Sequence, residues 1–309
     1  MEQPARHLVS IDDLTDRDLT SLVDRGAQFA AAPAARYRTL DGTVAAIYFR
    51  KTSTRTRCAF SVGALRMGAQ IVNLGPADLQ TNTGETAEDT GRVLSGMFDV
   101  LVARTSAETS EMRMWSAQDR MPVVNAMSAD EHPTQALADL TTMMGRFGRV
   151  EGLRVLYLGE GNNTAAALTL ALTRFAGVEL ELRTPPGYGI APEVGVRGAA
   201  QAREAKGTLV ERHDMARLPR DVDVIYTTRW QTTGTAKADP DWRTVFAPFQ
   251  VGTALWQDSP KAVFMHDLPA HRGEEVTAEV LDDPASIAFG QAENKLYSAM
   301  AVLEWCRGK

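Results

Sequence analysis

Short apolar runs alternate along the chain with stretches whose apolar residues return every three or four positions. The runs predict strands at Val44–Phe49, Gln70–Leu74, Val100–Arg104 and Pro122–Ala126 in the first half. The helical period predicts helices at Asp16–Ala31, Thr56–Met67, Thr86–Met97 and Pro133–Phe147. In the second half, strands are predicted at Arg154–Gly159, Val178–Arg183, Val222–Thr227 and Ala262–His266. Helices are predicted at Asn162–Phe175, near Pro192–Ala205 and at about Phe289–Cys306. This alternation implies an α/β protein: two doubly wound parallel-sheet domains with helices on both faces, joined near Phe147–Gly152. The expected division is residues 1–148 and 149–287, with 288–309 a closing helix that returns to the first domain. In such sheets ligands sit beyond the carboxyl ends of strands, so polar segments that follow strands are where chemistry is expected.

The first such segment is Ser53-Thr54-Arg55-Thr56-Arg57, between the strand ending at Phe49 and a helix with Phe60, Ala64 and Met67 on one face. A turn of this kind places free N–H groups, hydroxyls and two guanidiniums at a helix N-terminus. That suits a phosphate dianion, because the helix end supplies donors and partial positive charge. Arginine adds planar, bidentate, charge-assisted contacts that lysine cannot copy. Taken alone, the same pentapeptide also reads as a solvated helix cap.

Composition narrows the setting. The chain has 309 residues, 44% hydrophobic and 23% charged, and no apolar stretch near the ~20 residues that span a bilayer. Its first residues, Met1–Asp12, lack a basic-then-apolar signal pattern. Cys58 and Cys306 are too few and too far apart for a disulfide framework or a cysteine metal site. A cytoplasmic setting is therefore expected. The net charge of −6 argues against general nucleic-acid affinity, so anion binding has to be local. No His-Glu-x-x-His or Cys-x-x-Cys spacing occurs, and no metal is expected.

Further polar segments follow other predicted strands. Arg104 ends one strand. His132-Pro133-Thr134-Gln135 opens a helix, with His132 and Gln135 three apart on one face. Gly159-Glu160-Gly161-Asn162-Asn163 is half a dinucleotide fingerprint whose third glycine is replaced by Thr164, a weak signal. His266-Asp267-Leu268-Pro269-Ala270-His271-Arg272-Gly273 follows a strand of the second domain, and Gln291-Ala292-Glu293-Asn294-Lys295 lies in the closing helix. Each has a bland reading, as a cap, a turn or a sheet edge. Together, and in this order, they resemble the aspartate/ornithine carbamoyltransferase family over essentially the whole chain, with the second-domain run closer to the ornithine type.

The resemblance implies an active site in the cleft between the domains, with carbamoyl phosphate bound first. Ser53, Thr54, Arg55 and Thr56 would hold its phosphate. Arg104, His132 and Thr54 would face the carbamoyl oxygen, and Gln135 and the Leu268 carbonyl its amide. Arg55, Arg104, His132 and Asp267 are the expected catalytic residues. Gln80 would reach into a neighbouring subunit's site, since the family builds trimers with shared active sites. No organic cofactor, metal, nucleic acid or membrane partner is implied. Asn163 would meet the second substrate, an amino-acid-like amine, with ornithine giving citrulline the foremost candidate.

The acceptor side departs from the pattern. Ornithine enzymes carry Asp-x-x-x-Ser-Met-Gly where this chain reads Thr228-Arg229-Trp230-Gln231-Thr232-Thr233-Gly234. Thr-Arg-x-Gln is instead the aspartate-enzyme form, in which the arginine holds a carboxylate. Where ornithine enzymes have Cys, this chain has Asp267. The expectation is that the carboxylate lost at Thr228 has moved to Asp267, to hold or deprotonate the attacking amine, while Arg229 holds a carboxylate. The alternative is that Asp267 caps a turn and pairs with Arg229. Trp230 reads either as a pocket wall or as core. Lys295 replaces the family's phosphate-directed arginine, keeping the charge but losing the fork. Other readings of the whole are a specialised enzyme for another diamino acid or modified ornithine, and a non-catalytic phosphate-ligand-binding regulator.

Overall fold

The structure, a computed structural model, describes residues 4–232 and 236–308. It divides into two compact units, residues 1–146 with 293–309, and residues 147–292. In chain order the first unit contains α1 (Asp16–Ala31), β1 (Val44–Phe49), α2 (Arg55–Arg66), β2 (Gln70–Leu74), α3 (Ala87–Ser95) and β3 (Val100–Arg104). It continues with α4 (Thr109–Trp115), β4 (Val123–Met127) and α5 (Pro133–Phe147). Its sheet has the order β2-β1-β3-β4, and every pair is parallel. β3 and β4 are buried along their whole length, which explains why they read as continuous apolar runs rather than alternations. β2 lies at the edge and is mostly exposed.

Local chemistry sets the element ends. The Thr15 hydroxyl accepts from Asp18 N–H to cap α1, and the helix buries Leu19, Leu22, Val23 and Phe29. Thr86 caps α3 in the same way through Asp89 N–H. Residues near Leu8, which carry no strand signal, bridge in parallel to Val124 at the β4 edge. There Leu8 N–H donates to Val123 O at 2.9 Å, and Asn125 N–H donates to Leu8 O at 2.8 Å. Helix α4 was not foreseen either, being only two turns long; it buries Trp115 edge-on to Tyr48, 5.7 Å between centroids.

The second unit contains β5 (Arg154–Leu158), α6 (Asn163–Leu172), β6 (Glu179–Arg183), α7 (Pro192–Glu204) and β7 (Thr208–Arg212). After these come β8 (Val224–Thr227), α8 (Trp242–Phe246), β9 (Val263–His266), α9 (Ala278–Leu281) and the start of α10 (Ala288–Cys306). Its sheet, β7-β6-β5-β8-β9, is also parallel throughout. β7 escaped the sequence reading because it is a half-covered edge strand, Thr-Leu-Val-Glu-Arg, without an apolar run. The division between the units falls inside α10, between Ala292 and Glu293, rather than at its start. Gln291 explains part of this: its side chain accepts from His266 N–H at 2.8 Å and donates to the Tyr226 hydroxyl at 3.2 Å, both in the second unit. No helix among the described residues is long and apolar enough to cross a membrane.

Candidate active site

In the first unit, polar groups gather beyond the carboxyl ends of β1, β3 and β4. Thr54 is the N-cap of α2 but holds αR angles, φ −85° and ψ −62°, and its side chain makes no capping bond. Thr54 therefore gives the first N–H groups of this helix no side-chain acceptor of its own. Ser53 and Arg55 are half-buried, Thr56 is buried and Thr54 is exposed. Arg104 is paired with Phe49 in the sheet and almost wholly buried, and its Nη1 donates to the Ser53 hydroxyl at 3.3 Å. A register shift between Ala103 and Arg104 sets Arg104 opposite Met127. Such irregularities re-aim side chains at the end of a strand.

His132 precedes α5 and is buried. Burial holds its pKa well below the ordinary histidine range, and the nearby Lys295 and Arg104 cations push the same way. The imidazole is thus neutral. The Thr134 hydroxyl lies 3.3 Å from Nδ1; when it donates there, the ring proton sits on Nε2. Gln135 is clamped from both sides: its Nε2 donates to Asp139 at 2.7 Å, and its Oε1 accepts from Lys295 Nζ. The resemblance sends Lys295 to the phosphate, whereas here it meets Gln135 across from α10. Gln80 is exposed and bonded locally, its side-chain oxygen accepting from the Thr83 hydroxyl at 3.2 Å.

Behind this group the β4–α5 loop is braced by Glu131, which accepts from Ile11 N–H at 2.7 Å. Burial raises its carboxyl to a pKa of about 7, against the opposing bonds from Ile11 and Ser10. The Ser128 hydroxyl donates to Glu131 O at 3.0 Å, closing the loop that delivers His132.

The second unit presents its groups beyond β5, β8 and β9. Asn162 caps α6, its side-chain oxygen accepting from Thr164 N–H at 3.0 Å and Ala165 N–H at 3.2 Å. Its amide nitrogen donates to the hydroxyls of Thr228 and Thr232, each at 3.2 Å. The Tyr157 hydroxyl lies 3.1 Å from that of Thr228 and donates to Glu160 O at 2.6 Å. Gly161 is required where it stands, since a Cβ there would lie 2.2 Å from the Gly189–Ile190 backbone. Asn163 is buried at the first position of α6, and Gln231 is half-buried. Arg229 is half-buried, and its buried Nε has no hydrogen-bond acceptor among the described residues. Thr233 lies outside the described residues.

Asp267 is neither a turn cap nor a partner of Arg229. Its Oδ2 accepts from the Thr164 hydroxyl at 3.1 Å, and its Oδ1 lies 3.4 Å from His266 Nδ1. Leu268 N–H donates to the same Nδ1 at 2.8 Å, and His266 Nε2 lies 3.2 Å from Glu275 Oε1. Burial works to lower the proton affinity of His266, but the facing carboxylates of Asp267 and Glu275 prevail and raise it. Leu268, expected to serve the donor through its carbonyl, has a φ of +52°. Trp230 is core: it packs with Trp242 and Phe246 in a buried aromatic cluster.

The structure thus brings together Ser53, Arg104, His132, Gln135 and Lys295 in one unit, and Thr228 and Thr232 in the other. Sequence reasoning missed Asn162, which links two loops, and Asp139, Glu131 and Glu275, which brace their neighbours. Asn162 carried a readable signal, an asparagine three residues before an apolar helical run. The others, buried carboxylates set by long-range packing, carried none. A cavity of about 640 Å³ in the first unit is lined by Arg6, Asp99, Arg120 and Arg307. Asp99 and Arg120 precede β3 and β4, so it lies at the amino ends of the strands, away from the polar group described above.

Comparison with known proteins gives the family. Residues 6–145 match the family described as aspartate/ornithine carbamoyltransferase, carbamoyl-P binding domain, and residues 151–306 match its Asp/Orn binding domain. The chain belongs to the aspartate/ornithine carbamoyltransferase family. An ornithine carbamoyltransferase of Thermococcus kodakarensis is 40% identical over 273 residues, 88% of this chain and 86% of that protein. One from Methanothermobacter thermautotrophicus is 37% identical over 306 residues, 98% and 99% of the two chains. The solved ornithine carbamoyltransferase of Pyrococcus furiosus has a TM-score of 0.90 at 36% identity, covering 98% of this chain and 97% of that one.

Proposed function

We propose that this chain transfers the carbamoyl group of carbamoyl phosphate to the side-chain amine of ornithine, releasing citrulline and phosphate. The observation that carries the reading is the junction of Arg104, Ser53, neutral His132, Gln135 and Lys295 beside a helix start without a side-chain cap. A plain phosphate-binding protein has no use for a buried imidazole and a doubly anchored carboxamide there. The relatives named above are ornithine carbamoyltransferases, which favours that acceptor.

In this reading Ser53, Thr54, Arg55 and Thr56 hold the phosphate. The amine nitrogen attacks the carbamoyl carbon, and negative charge grows on the carbonyl oxygen. Arg104, His132 Nε2–H and the Thr54 hydroxyl meet that charge, donors of a kind each worth about 10²–10³ in rate. The bond to the phosphate oxygen then breaks. Phosphate departs with the electron pair, Arg55 balances its charge, and the amine proton passes to phosphate or to a base. Gln135 and the Leu268 carbonyl orient the carbamoyl amide. Gln135 Oε1 accepts from Lys295 and keeps a second lone pair for the carbamoyl N–H.

On the acceptor side Asp267, anchored by Thr164, serves the amine, and the unmatched Nε of Arg229 suits a substrate carboxylate. Asn163, Thr228, Gln231, Thr232 and Thr233 complete the acceptor set. An ammonium of pKa ~10.4 costs about 4–5 kcal/mol to deprotonate at neutral pH, so a carboxylate near it matters. Moving that carboxylate from position 228 to 267 also supports a second reading, a shorter or modified diamino acid as acceptor. A homotrimer in which Gln80 enters the neighbour's site, and a cytoplasmic location, belong to the same proposal. The exposed Gln80 and the two free thiols support them.

Phosphate release with carbamoyl phosphate and a panel of ornithine, acetylornithine, putrescine, aspartate, lysine and diaminopropionate tests the proposal. Ornithine is expected to give the highest kcat/KM. Release with none of the six would refute the assignment.

A further inference from the structure

Beside the acceptor segment, the second unit buries an ammonium that none of the roles above uses. Lys237 is only 4% exposed along its side chain, and its Nζ lies 2.6 Å from Glu160 Oε1. It also lies over three aromatic rings, 4.6 Å from the centroids of Tyr188 and Phe246 and 5.3 Å from that of Trp242. Those rings pack on Trp230, which follows Arg229 directly. We propose that Lys237 is a positioning residue for the acceptor: its bond to Glu160 inside this aromatic box sets the spacing between the turn after β5 and the segment after β8. The inference rests on the proposed function and deepens its acceptor side.

Energetics favour a geometric role over a stabilising one. An ammonium taken out of water loses several kcal/mol of hydration, which an ion pair at best offsets; a well-packed apolar side chain is often as good or better for stability. Ring faces add about 0.5–2 kcal/mol of attraction for a cation, and they also restrict where it can sit. An apolar residue could fill the box but would not fix Glu160. Fixing Glu160 matters because both turns meet around it. Its own carbonyl accepts from the Tyr157 hydroxyl, and its carboxylate is bonded by Thr232 as well as by Lys237. Asn162, two residues on, reaches the hydroxyls of Thr228 and Thr232. Lys237 approaches this ring of bonds from the far side of Thr232 in the chain. The pair thereby ties the residues that resume at 236, after the acceptor segment, to the turn that carries Asn162 and Asn163. Glu160 Oε2 has no further partner among the described residues, so the carboxylate depends on Lys237 and Thr232 for its position.

The test compares Lys237→Met, Lys237→Arg and Glu160→Gln with the unaltered chain, in steady-state kinetics and in amide hydrogen exchange without substrates. Lys237→Met fills the box but cannot hold Glu160. It is expected to raise KM for ornithine about tenfold, with KM for carbamoyl phosphate and kcat within about twofold, the sign of lost acceptor binding alone. Exchange at residues 229–232 and 236–242 is expected to quicken by about tenfold, local opening being a property of that segment and not of the whole fold. Lys237→Arg should restore most of both. Glu160→Gln, which keeps the shape and a neutral bond, should fall between. A uniform loss in both KM values, or unchanged exchange in the segment, overturns the inference. Should Lys237→Met fail to fold, the Glu160→Gln result decides by the same two readings. If the unaltered chain releases no phosphate with any acceptor, the proposed function fails, and the exchange comparison alone still decides the role of Lys237.

Discussion

The donor side of the first unit and the acceptor side of the second follow one plan, polar residues beyond the carboxyl ends of parallel strands, but they hold charge in different ways. The first unit sets two cations, Arg104 and Lys295, near an imidazole that is held neutral chiefly by burial and further by those charges. The acceptor side gathers carboxylates, Glu160, Asp267 and Glu275, and matches each to a partner: Lys237, Thr164 and His266. The contrast follows from the ligands the reaction needs. A phosphate dianion stays charged throughout, so fixed positive charge suffices, and arginine supplies it at any physiological pH. An amine has to be captured as a cation yet attack as a neutral base. Its side therefore calls for a carboxylate that can pair with the ammonium and take up its proton, the part proposed for Asp267.

The sharpest break of this contrast is at Arg104. Arg104→Ala removes a donor from the growing oxyanion and is expected to lower kcat by about 10²–10³, measured by phosphate release under saturating substrates. A loss of less than tenfold would mean that the oxyanion is met elsewhere. Asp267→Asn comes next: turnover should fall by roughly 10², with KM for carbamoyl phosphate unchanged, if the carboxylate acts on the amine. Equal turnover in the two proteins would return Asp267 to a purely structural part. Lys295→Met is expected to raise KM for carbamoyl phosphate about tenfold while sparing KM for the acceptor. The reverse pattern would place Lys295 on the wrong side of the comparison.

The smallest effect concerns pH and Glu131, behind His132. Its carboxyl is raised from the ordinary 4.5 to about 7 in the folded chain, chiefly by burial. Between those values the folded state holds more proton than the unfolded one, so this group costs stability as pH rises through that window. The cost is complete above pH 7 and is at most about 3 kcal/mol. Glu131→Gln should therefore flatten the fall in stability between pH 5 and 8, read from urea unfolding. Parallel profiles for the two proteins would show that the group does not titrate there.

Most of the fold was legible because both sheets are parallel and their inner strands, being buried, stand out as apolar runs. Val44–Phe49, Gln70–Leu74 and Val100–Arg104 match the observed limits, as do helices Asp16–Ala31 and Pro133–Phe147. The elements not foreseen, among them β7, α4, α8, α9 and the bridge at Leu8, are short or half-covered, and their place depends on neighbours already in position. The segments Ser53–Arg57, Arg104 and His132–Gln135 were easy to single out because each is a short contiguous run that follows or ends a strand, whereas Lys295 lies within α10. The acceptor side was less so. Trp230 read as easily as a pocket wall, yet it is core, because Trp242 and Phe246, far along the chain, come to meet it.

Residue types and their order alone determined that this chain forms two parallel α/β sheets and sets hydroxyls and arginines at a helix start after β1. Backbone periodicity and helix-end chemistry are local, and local facts survive in the order of residues. Tertiary structure decided which charges are matched: Lys295 on Gln135, Asp267 on Thr164 rather than on Arg229, and Lys237 on Glu160 inside an aromatic box. The physical reason is that the energy of a buried charge depends on partners brought close by packing, at distances in the chain that no local pattern encodes.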